Sequence, residues 1–227
     1  MKNHYAVAID GPSGAGKSTL AKRLAASLKI VYVDTGAIYR SIGYYVYQNG
    51  IDPKDTAAVT AVLPRLQIEA VYGDDGLQHM ILNGADVTKE IRLPEVSMYT
   101  SAVSAIPEVR TFLLQMQRDM AARGSVVMDG RDIGTVVLPQ AEVKIYLDAS
   151  PEVRARRREK ELAERGTPKP FEEVLREVKE RDWADMHRDT APLRQAEDAV
   201  RVDTSDLNFE SSLALLRQVI WEQLEKK

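Results

Sequence analysis

No cysteine occurs anywhere in the chain, which excludes disulfide staples, thiolate metal centres and thiol nucleophiles. Histidine is nearly as scarce: His4, His79 and His187 lie too far apart in sequence to form a local metal motif. No apolar run approaches the roughly 20 residues that a membrane helix needs, so no membrane partner is expected. A dominant charge of one sign is missing too. The formal net charge is −3, which gives no general basic field, and no nucleic-acid partner is expected. Internal repeats and low-complexity stretches are absent. Met1-Lys2-Asn3-His4 leads directly into apolar residues, so no signal peptide is expected and a cytoplasmic location is. With 44% hydrophobic residues over 227 positions, the chain can bury a sizeable core. One domain with insertions, or one large and one small domain, fits that length.

Against this neutral background stands Gly11-Pro12-Ser13-Gly14-Ala15-Gly16-Lys17-Ser18, followed by Thr19. It fits the phosphate-loop pattern G-x-x-x-x-G-K-[ST] without a mismatch. Tyr5 to Ile9 before it is short and apolar enough for a buried parallel strand, and Leu20, Leu24 and Leu28 after it recur at helical spacing. A strand turning into a helix through glycines aims several backbone N–H groups at one point, where the helix dipole adds positive charge. Lys17 can reach β- and γ-phosphates, and the Ser18 hydroxyl can ligate Mg²⁺. A nucleoside triphosphate is the expected ligand.

Further along, Ile30 to Val33 reads as a second buried strand, and the helix after it, with Asp34 or Thr35 as N-cap, runs to about Gln48 and stops at Asn49-Gly50. From Asp52 to about Thr88 the texture changes. A short helix from Asp55 to Leu63 precedes alternating Leu66, Ile68 and Ala70, a turn at Gly73-Asp74-Asp75-Gly76, a strand from Leu77 to Leu82 and a second turn at Asn83-Gly84. Short antiparallel strands inside a parallel α/β chain suggest a small inserted subdomain at 51–87, with the core formed by 1–50 and 88–227. Helices are expected from Glu90 to Ala105 and from Pro107 to about Ala122, and strands at Ser125–Met128, Val143–Asp148 and Ala199–Val202. Ser150-Pro151-Glu152 supplies a cap, an N1 proline and a first-turn acid for another helix. Helices starting at Phe171 and Phe209 complete the pattern, which predicts a P-loop α/β fold with a five-stranded parallel sheet flanked by helices.

Ligands of such sheets gather at the carboxyl ends of the strands. Asp129 sits at such an end, where P-loop enzymes keep an acid near Mg²⁺, and Arg131 and Asp132 emerge from the same place. Arg154, Arg156, Arg157, Arg158 and Lys160 crowd one helix before Gly166 to Pro170 breaks it. Mixed with Glu152, Glu159, Glu161 and Glu164, this cluster reads either as a solvated helix or as a lid over 154–170 that carries guanidinium groups to a phosphoryl group. On the next helix the face of Phe171, Val174 and Val178 continues into Arg181, Asp185 and Arg188. That stripe either overhangs a polar pocket or ends in an ordinary i,i+4 pair of Arg181 and Asp185.

Taken in order, Gly11 to Thr19, Asp34-Thr35-Gly36-Ala37-Ile38-Tyr39-Arg40, Asp129-Gly130-Arg131-Asp132-Ile133-Gly134-Thr135-Val136 and Glu180-Arg181-Asp182 with Asp185 and Arg188 resemble bacterial cytidylate kinase over essentially the whole chain. The resemblance implies a place in pyrimidine metabolism: reversible transfer of the γ-phosphoryl of ATP to CMP or dCMP, with Mg²⁺, an insert that helps hold the monophosphate, and an arginine-rich lid. On matching positions, Gly11 to Thr19 would hold ATP, with Lys17, Arg131, Arg157 and Arg181 acting on the transferring group and Ser18 and Asp129 on the metal. Thr35, Arg40 and Arg131 would serve the CMP sugar and phosphate side. Ser101, Arg110 and Asp132 would read cytosine, while Arg181, Asp185 and Arg188 would hold the sugar and phosphate. A monomer is expected. Rivals are other kinases of the same fold, for uridylate, adenylate or shikimate, and a P-loop switch, which the lack of an N-K-x-D motif disfavours.

Overall fold

A computed structural model describes residues 4–73 and 76–226; Met1 to Asn3 of the expected lead-in, and Asp74 and Asp75 of the expected turn, lie outside the described residues. The chain runs β1 (Ala6–Asp10), α1 (Lys17–Leu28), β2 (Val31–Asp34), α2 (Thr35–Gln48), α3 (Thr56–Val62), β3 (Ile68–Tyr72), β4 (Gln78–Leu82), β5 (Ala85–Asp86), α4 (Pro94–Val103) and α5 (Pro107–Ala122). It continues through β6 (Val126–Gly130), a π-helical turn (Ile133–Val137), β7 (Val143–Asp148), α6 (Pro151–Glu164), α7 (Phe171–His187), β8 (Val200–Asp203) and α8 (Phe209–Glu225).

Five strands form one sheet in the order β2-β6-β1-β7-β8. In its centre β1 pairs in parallel with β6 and β7, so that Val7 lies beside both Val127 and Val143. Burial of these central strands on both faces explains why Ala6–Ile9 and Val126–Met128 read as apolar runs, whereas Lys144 interrupts β7. The expectation of a buried second strand needs correction. β2 is an edge strand, and it shows the edge pattern, with Val33 buried and Val31 exposed. β8 forms the opposite edge and buries Val202 while exposing Val200.

By its internal contacts the chain divides into two compact units, Met1–Val31 with Gly124–Lys227, and Tyr32–Arg123. In the first, α1 lies on β6 and α8, and α8 lies on β7. Of the spacing expected in α1, Leu20 and Leu24 are buried and Leu28 is half-buried, while α8 buries Leu216 and Ile220. Ser150 caps α6 by accepting from the Val153 N–H at 3.3 Å, with Pro151 at the first helical position. A separate apolar cluster of Ala155, Leu162, Val174 and Val178 joins α6 to α7. The arginine-rich helix and its successor therefore form one packed hairpin.

The second unit contains the antiparallel sheet β3-β4-β5. It is wider than the 51–87 stretch singled out by texture, because α2 lies along α4 and touches α5. A Cβ on Gly43 would stand 2.5 Å from the Thr100 Oγ and 2.9 Å from the Thr100 backbone nitrogen, so glycine is what lets the two helices meet. The expected helix from Glu90 to Ala105 is broken. A 3₁₀ turn at Glu90–Arg92 gives way to extended Leu93 before α4 begins. Pro94 is the cause, since its ring crowds the preceding residue out of the helical region. Among the described residues no helix is long and apolar enough to cross a membrane.

Candidate nucleotide site

The phosphate loop spans Gly11 to Gly16, between the end of β1 and the start of α1. Gly11 has φ 150°, and a Cβ there would meet the Leu147 carbonyl oxygen at 1.9 Å, so any side chain would push the loop off β7. Gly16 caps α1 in the left-handed region, at φ 88°. Lys17 is buried and its Nζ donates to the Pro12 carbonyl at 2.7 Å, folding the ammonium over its own loop. Burial, with Arg131 adding repulsion, lowers its pKa well below the usual lysine range. The Ser18 hydroxyl donates to Asp129 Oδ2 at 2.8 Å. Two hard oxygen atoms thus stand side by side, and among the described residues no group of three or more His, Cys, Asp or Glu side chains could hold a metal ion. One carboxylate and one hydroxyl suit Mg²⁺, which takes its remaining ligands from phosphates and water.

Beside the loop, Asp10 accepts from the Ile133 and Gly134 N–H groups, each at 2.7 Å. Burial pushes its carboxyl up to about 7, against the pull of those two amides. Asp10 therefore ties the residue before the loop to the π-helical turn that follows Arg131 and Asp132. Sequence reasoning missed both the turn and this acid, although Asp10 immediately precedes Gly11.

Four of the expected acceptor-site residues come together in the first unit. Arg131 Nε donates to Asp185 Oδ2 at 2.8 Å. Arg188 lies 3.9 Å from both Asp185 and Asp132, and its guanidinium also donates to the Ala191 carbonyl. Burial works against charge on Asp185, but Arg131, Arg181 and Arg188 outweigh it and hold the carboxyl below its ordinary value. Burial likewise opposes the Arg131 charge, and Asp185 more than restores it. The stripe on α7 is thus no solvent-facing i,i+4 pair: Asp185 is buried and engages Arg131, and Asp182, outside the stripe, is buried and engages Arg154.

The arginines of α6 separate into different roles. Arg154 is buried; its Nη1 and Nη2 grip Asp182 at 2.9 and 2.6 Å, Nη1 also reaches the Ser13 carbonyl at 3.1 Å, and Nε reaches Ala149 at 2.8 Å. Arg157 donates to the carbonyls of Ala15 at 3.3 Å and Thr204 at 3.0 Å. Arg158 pairs with Glu161 on the surface, the solvated-face alternative. Arg157 also lines a cavity of about 240 Å³ with Ala15, Gly16, Thr19, Leu207 and Phe209. Thr204, Leu207 and Phe209 were not anticipated, though they follow the carboxyl end of β8, where ligands of such sheets gather.

In the second unit, Asp34 is the N-cap of α2, its carboxylate accepting from Ala37 at 2.9 Å, and Thr35 is buried. Arg40 Nη1 donates to Ser97 Oγ at 3.1 Å and to the Ile91 carbonyl at 3.4 Å. Arg110 is buried, lies over the Tyr39 ring at 5.3 Å and donates to the Ser104 carbonyl at 2.9 Å. Ser104 in turn donates to the carbonyl of Ser101 at 3.0 Å. Ser101 and Arg110 are in this way linked through one residue.

The family model described as Cytidylate kinase matches residues 7–221. A cytidylate kinase of Carboxydothermus hydrogenoformans is 50% identical over 214 residues, covering 94% of this chain and 96% of that protein. One from Fervidobacterium nodosum is 46% identical over 224 residues, covering 99% of this chain and all of its counterpart. At the level of fold, the crystal structure of an uncharacterized protein from Eubacterium ventriosum superimposes with a TM-score of 0.52 at 11% identity, over 96% of this chain and 99% of that one.

Proposed function

This chain belongs to the cytidylate kinase family, and from that premise we propose that it transfers the γ-phosphoryl of ATP to CMP or dCMP, yielding ADP and CDP or dCDP. The observation that carries this reading is the balanced set of Arg131, Asp185, Arg188 and Asp132 at the same sheet edge as the phosphate loop, where the charge of Arg131 is felt by Lys17. Such a set suits an acceptor that is itself a phosphate.

An oxygen of the CMP phosphate attacks the γ-phosphorus while the bond to the β–γ bridging oxygen breaks, and ADP leaves with that electron pair. The attacking oxygen is already ionised at neutral pH, so no general base is needed; what remains for the protein is positioning and charge stabilisation. Gly11 to Thr19 cradle the ATP phosphates, and Lys17 exchanges the Pro12 carbonyl for the β- and γ-phosphates. Ser18 and Asp129 would hold Mg²⁺, which neutralises phosphate charge when bound. The cavity beside Arg157, Leu207 and Phe209 receives the adenine. Arg131, Arg157 and Arg181 act on the transferring group; Thr35, Arg40, Arg181, Asp185 and Arg188 hold the CMP sugar and phosphate; Ser101, Arg110 and Asp132 read the base. Residues 51–87 serve as the monophosphate-binding insert and 154–170 as the lid. The enzyme works as a cytoplasmic monomer in pyrimidine metabolism.

The test is a panel of nucleoside monophosphates with ATP. Stoichiometric ADP and CDP from ATP and CMP is the expected result. Slow phosphate release without a phosphorylated acceptor would instead assign a switch, and preference for UMP or AMP a different kinase.

A further inference from the structure

The outer edge of β2 is completed by side chains. Val31 turns its N–H inward to the Ser125 carbonyl at 3.2 Å, and the two-residue period of a strand then points the backbone groups of Tyr32 and Asp34 outward. Among the described residues no strand lies beyond them in the sheet. Instead the Gln78 carboxamide does what a neighbouring strand would do. Its Oε1 accepts from the Asp34 N–H at 2.9 Å and its Nε2 donates to the Asp34 carbonyl at 3.1 Å. Tyr72, opposite Gln78 in the β3–β4 hairpin, donates its hydroxyl to the Tyr32 carbonyl at 3.0 Å. Partial burial raises the Tyr72 pKa to about 12.

The clamped residue is the one that starts α2. The Asp34 carboxylate caps that helix at Ala37 and is 3.3 Å from the Arg92 guanidinium. Asp34 immediately precedes Thr35, and Arg40 lies on the second turn of the same helix. We propose that Gln78, assisted by Tyr72, is a positioning residue for the monophosphate: by holding both the N–H and the carbonyl of Asp34 it fixes the N-terminus of α2, and with it Thr35 and Arg40. This deepens the cytidylate reading and rests on it for the identity of the acceptor. Both clamp residues belong to the hairpin, which gives that hairpin a task in acceptor binding without requiring it to touch the nucleotide.

The discriminating substitution is Gln78→Met, which keeps length and bulk but loses both hydrogen bonds. Gln78→Glu keeps the acceptor for the Asp34 N–H and puts a carboxylate oxygen against the Asp34 carbonyl. In the full-length enzyme, Gln78→Met should raise KM for CMP about tenfold, equivalent to ~1.4 kcal/mol. KM for ATP and kcat at saturation should stay within about twofold, and Gln78→Glu should fall at least as far as Gln78→Met. Hydrogen exchange at the Asp34 amide, followed by NMR without substrates, should quicken about tenfold. An unchanged KM for CMP overturns the positioning role, as does an equal loss in kcat and in both KM values, which would mark a purely structural residue. Unchanged exchange at Asp34 overturns the clamp whatever the acceptor is, whereas a wild-type enzyme inactive on CMP overturns the cytidylate reading alone.

Discussion

Asp182 and Arg154 make a sharp test of the first unit, because the pair is buried and each partner's surroundings are known. Their side chains are 12% and 3% exposed and meet through two parallel hydrogen bonds. Asp182→Ala removes the counter-charge and leaves a guanidinium inside the protein. Losing one partner of a buried pair costs roughly 3–5 kcal/mol, against a total stability of about 5–15 kcal/mol for a domain. Arg154 would keep its bonds to the carbonyls of Ala149 and Ser13, which places the expected loss near the lower end, about 3 kcal/mol. For a chain of this size that corresponds to a fall in Tm of roughly 6–12 °C. Urea unfolding and thermal melts of the purified variant measure it. The double variant Arg154→Met with Asp182→Leu leaves no charge at this buried site and should recover most of the loss. A loss below about 1 kcal/mol for Asp182→Ala, the range of an exposed ion pair, would refute the reasoning, since it would mean that water reaches the guanidinium.

Three further outcomes are expected. Asp132→Asn should narrow the CMP-to-UMP ratio of kcat/KM by about tenfold or more, ~1.4 kcal/mol, because an amide can donate to uracil O4; an equal loss on both substrates would move Asp132 away from the base. The Asp10 carboxyl is raised from 3.8 to about 7, so its contribution to stability is complete below the lower value and is lost as pH rises through the upper one. Asp10→Asn should flatten that decline in urea midpoints measured across the window, and parallel slopes in the two proteins would contradict it. Gly43→Ala should cost ~1–3 kcal/mol by overpacking α2 on α4. Thr100→Ala should restore only part of that in thermal melts, because the Thr100 backbone nitrogen is itself 2.9 Å from the new Cβ.

Much of this architecture was legible because local signals agreed with the global fold. Gly11 to Ser18 carry their own backbone requirements, Pro107 and Pro151 mark helix starts, and the central strands are mostly apolar because both faces are covered. What escaped was what depends on neighbours distant in sequence. Nothing near Val31 says that no strand will lie beyond it, and edge position is a property of strand order. Composition could not distinguish Arg154 from Arg158, four residues apart on one helix: one meets Asp182 in the interior, the other Glu161 at the surface. Pro94 did announce the break before α4 but was outweighed by the helical pattern on either side of it. The cleft beside Arg157 draws Leu207 and Phe209 from the far end of the chain, so no local motif records it.

The side-chain clamp on β2 also bears on how the protein avoids aggregation. An open strand edge offers its backbone to any other extended chain. On β8 the exposed positions are Val200, Arg201 and Asp203, and charge of both signs discourages such pairing. β2 begins with Val31, Tyr32 and Val33 and has no charge before Asp34, so its protection falls to Tyr72 and Gln78. The small antiparallel hairpin is therefore a guard as well as a clamp. If it melts before the core does, the first surface uncovered is a short apolar strand ready to recruit a second molecule, and intermolecular sheet growth on heating should begin at β2.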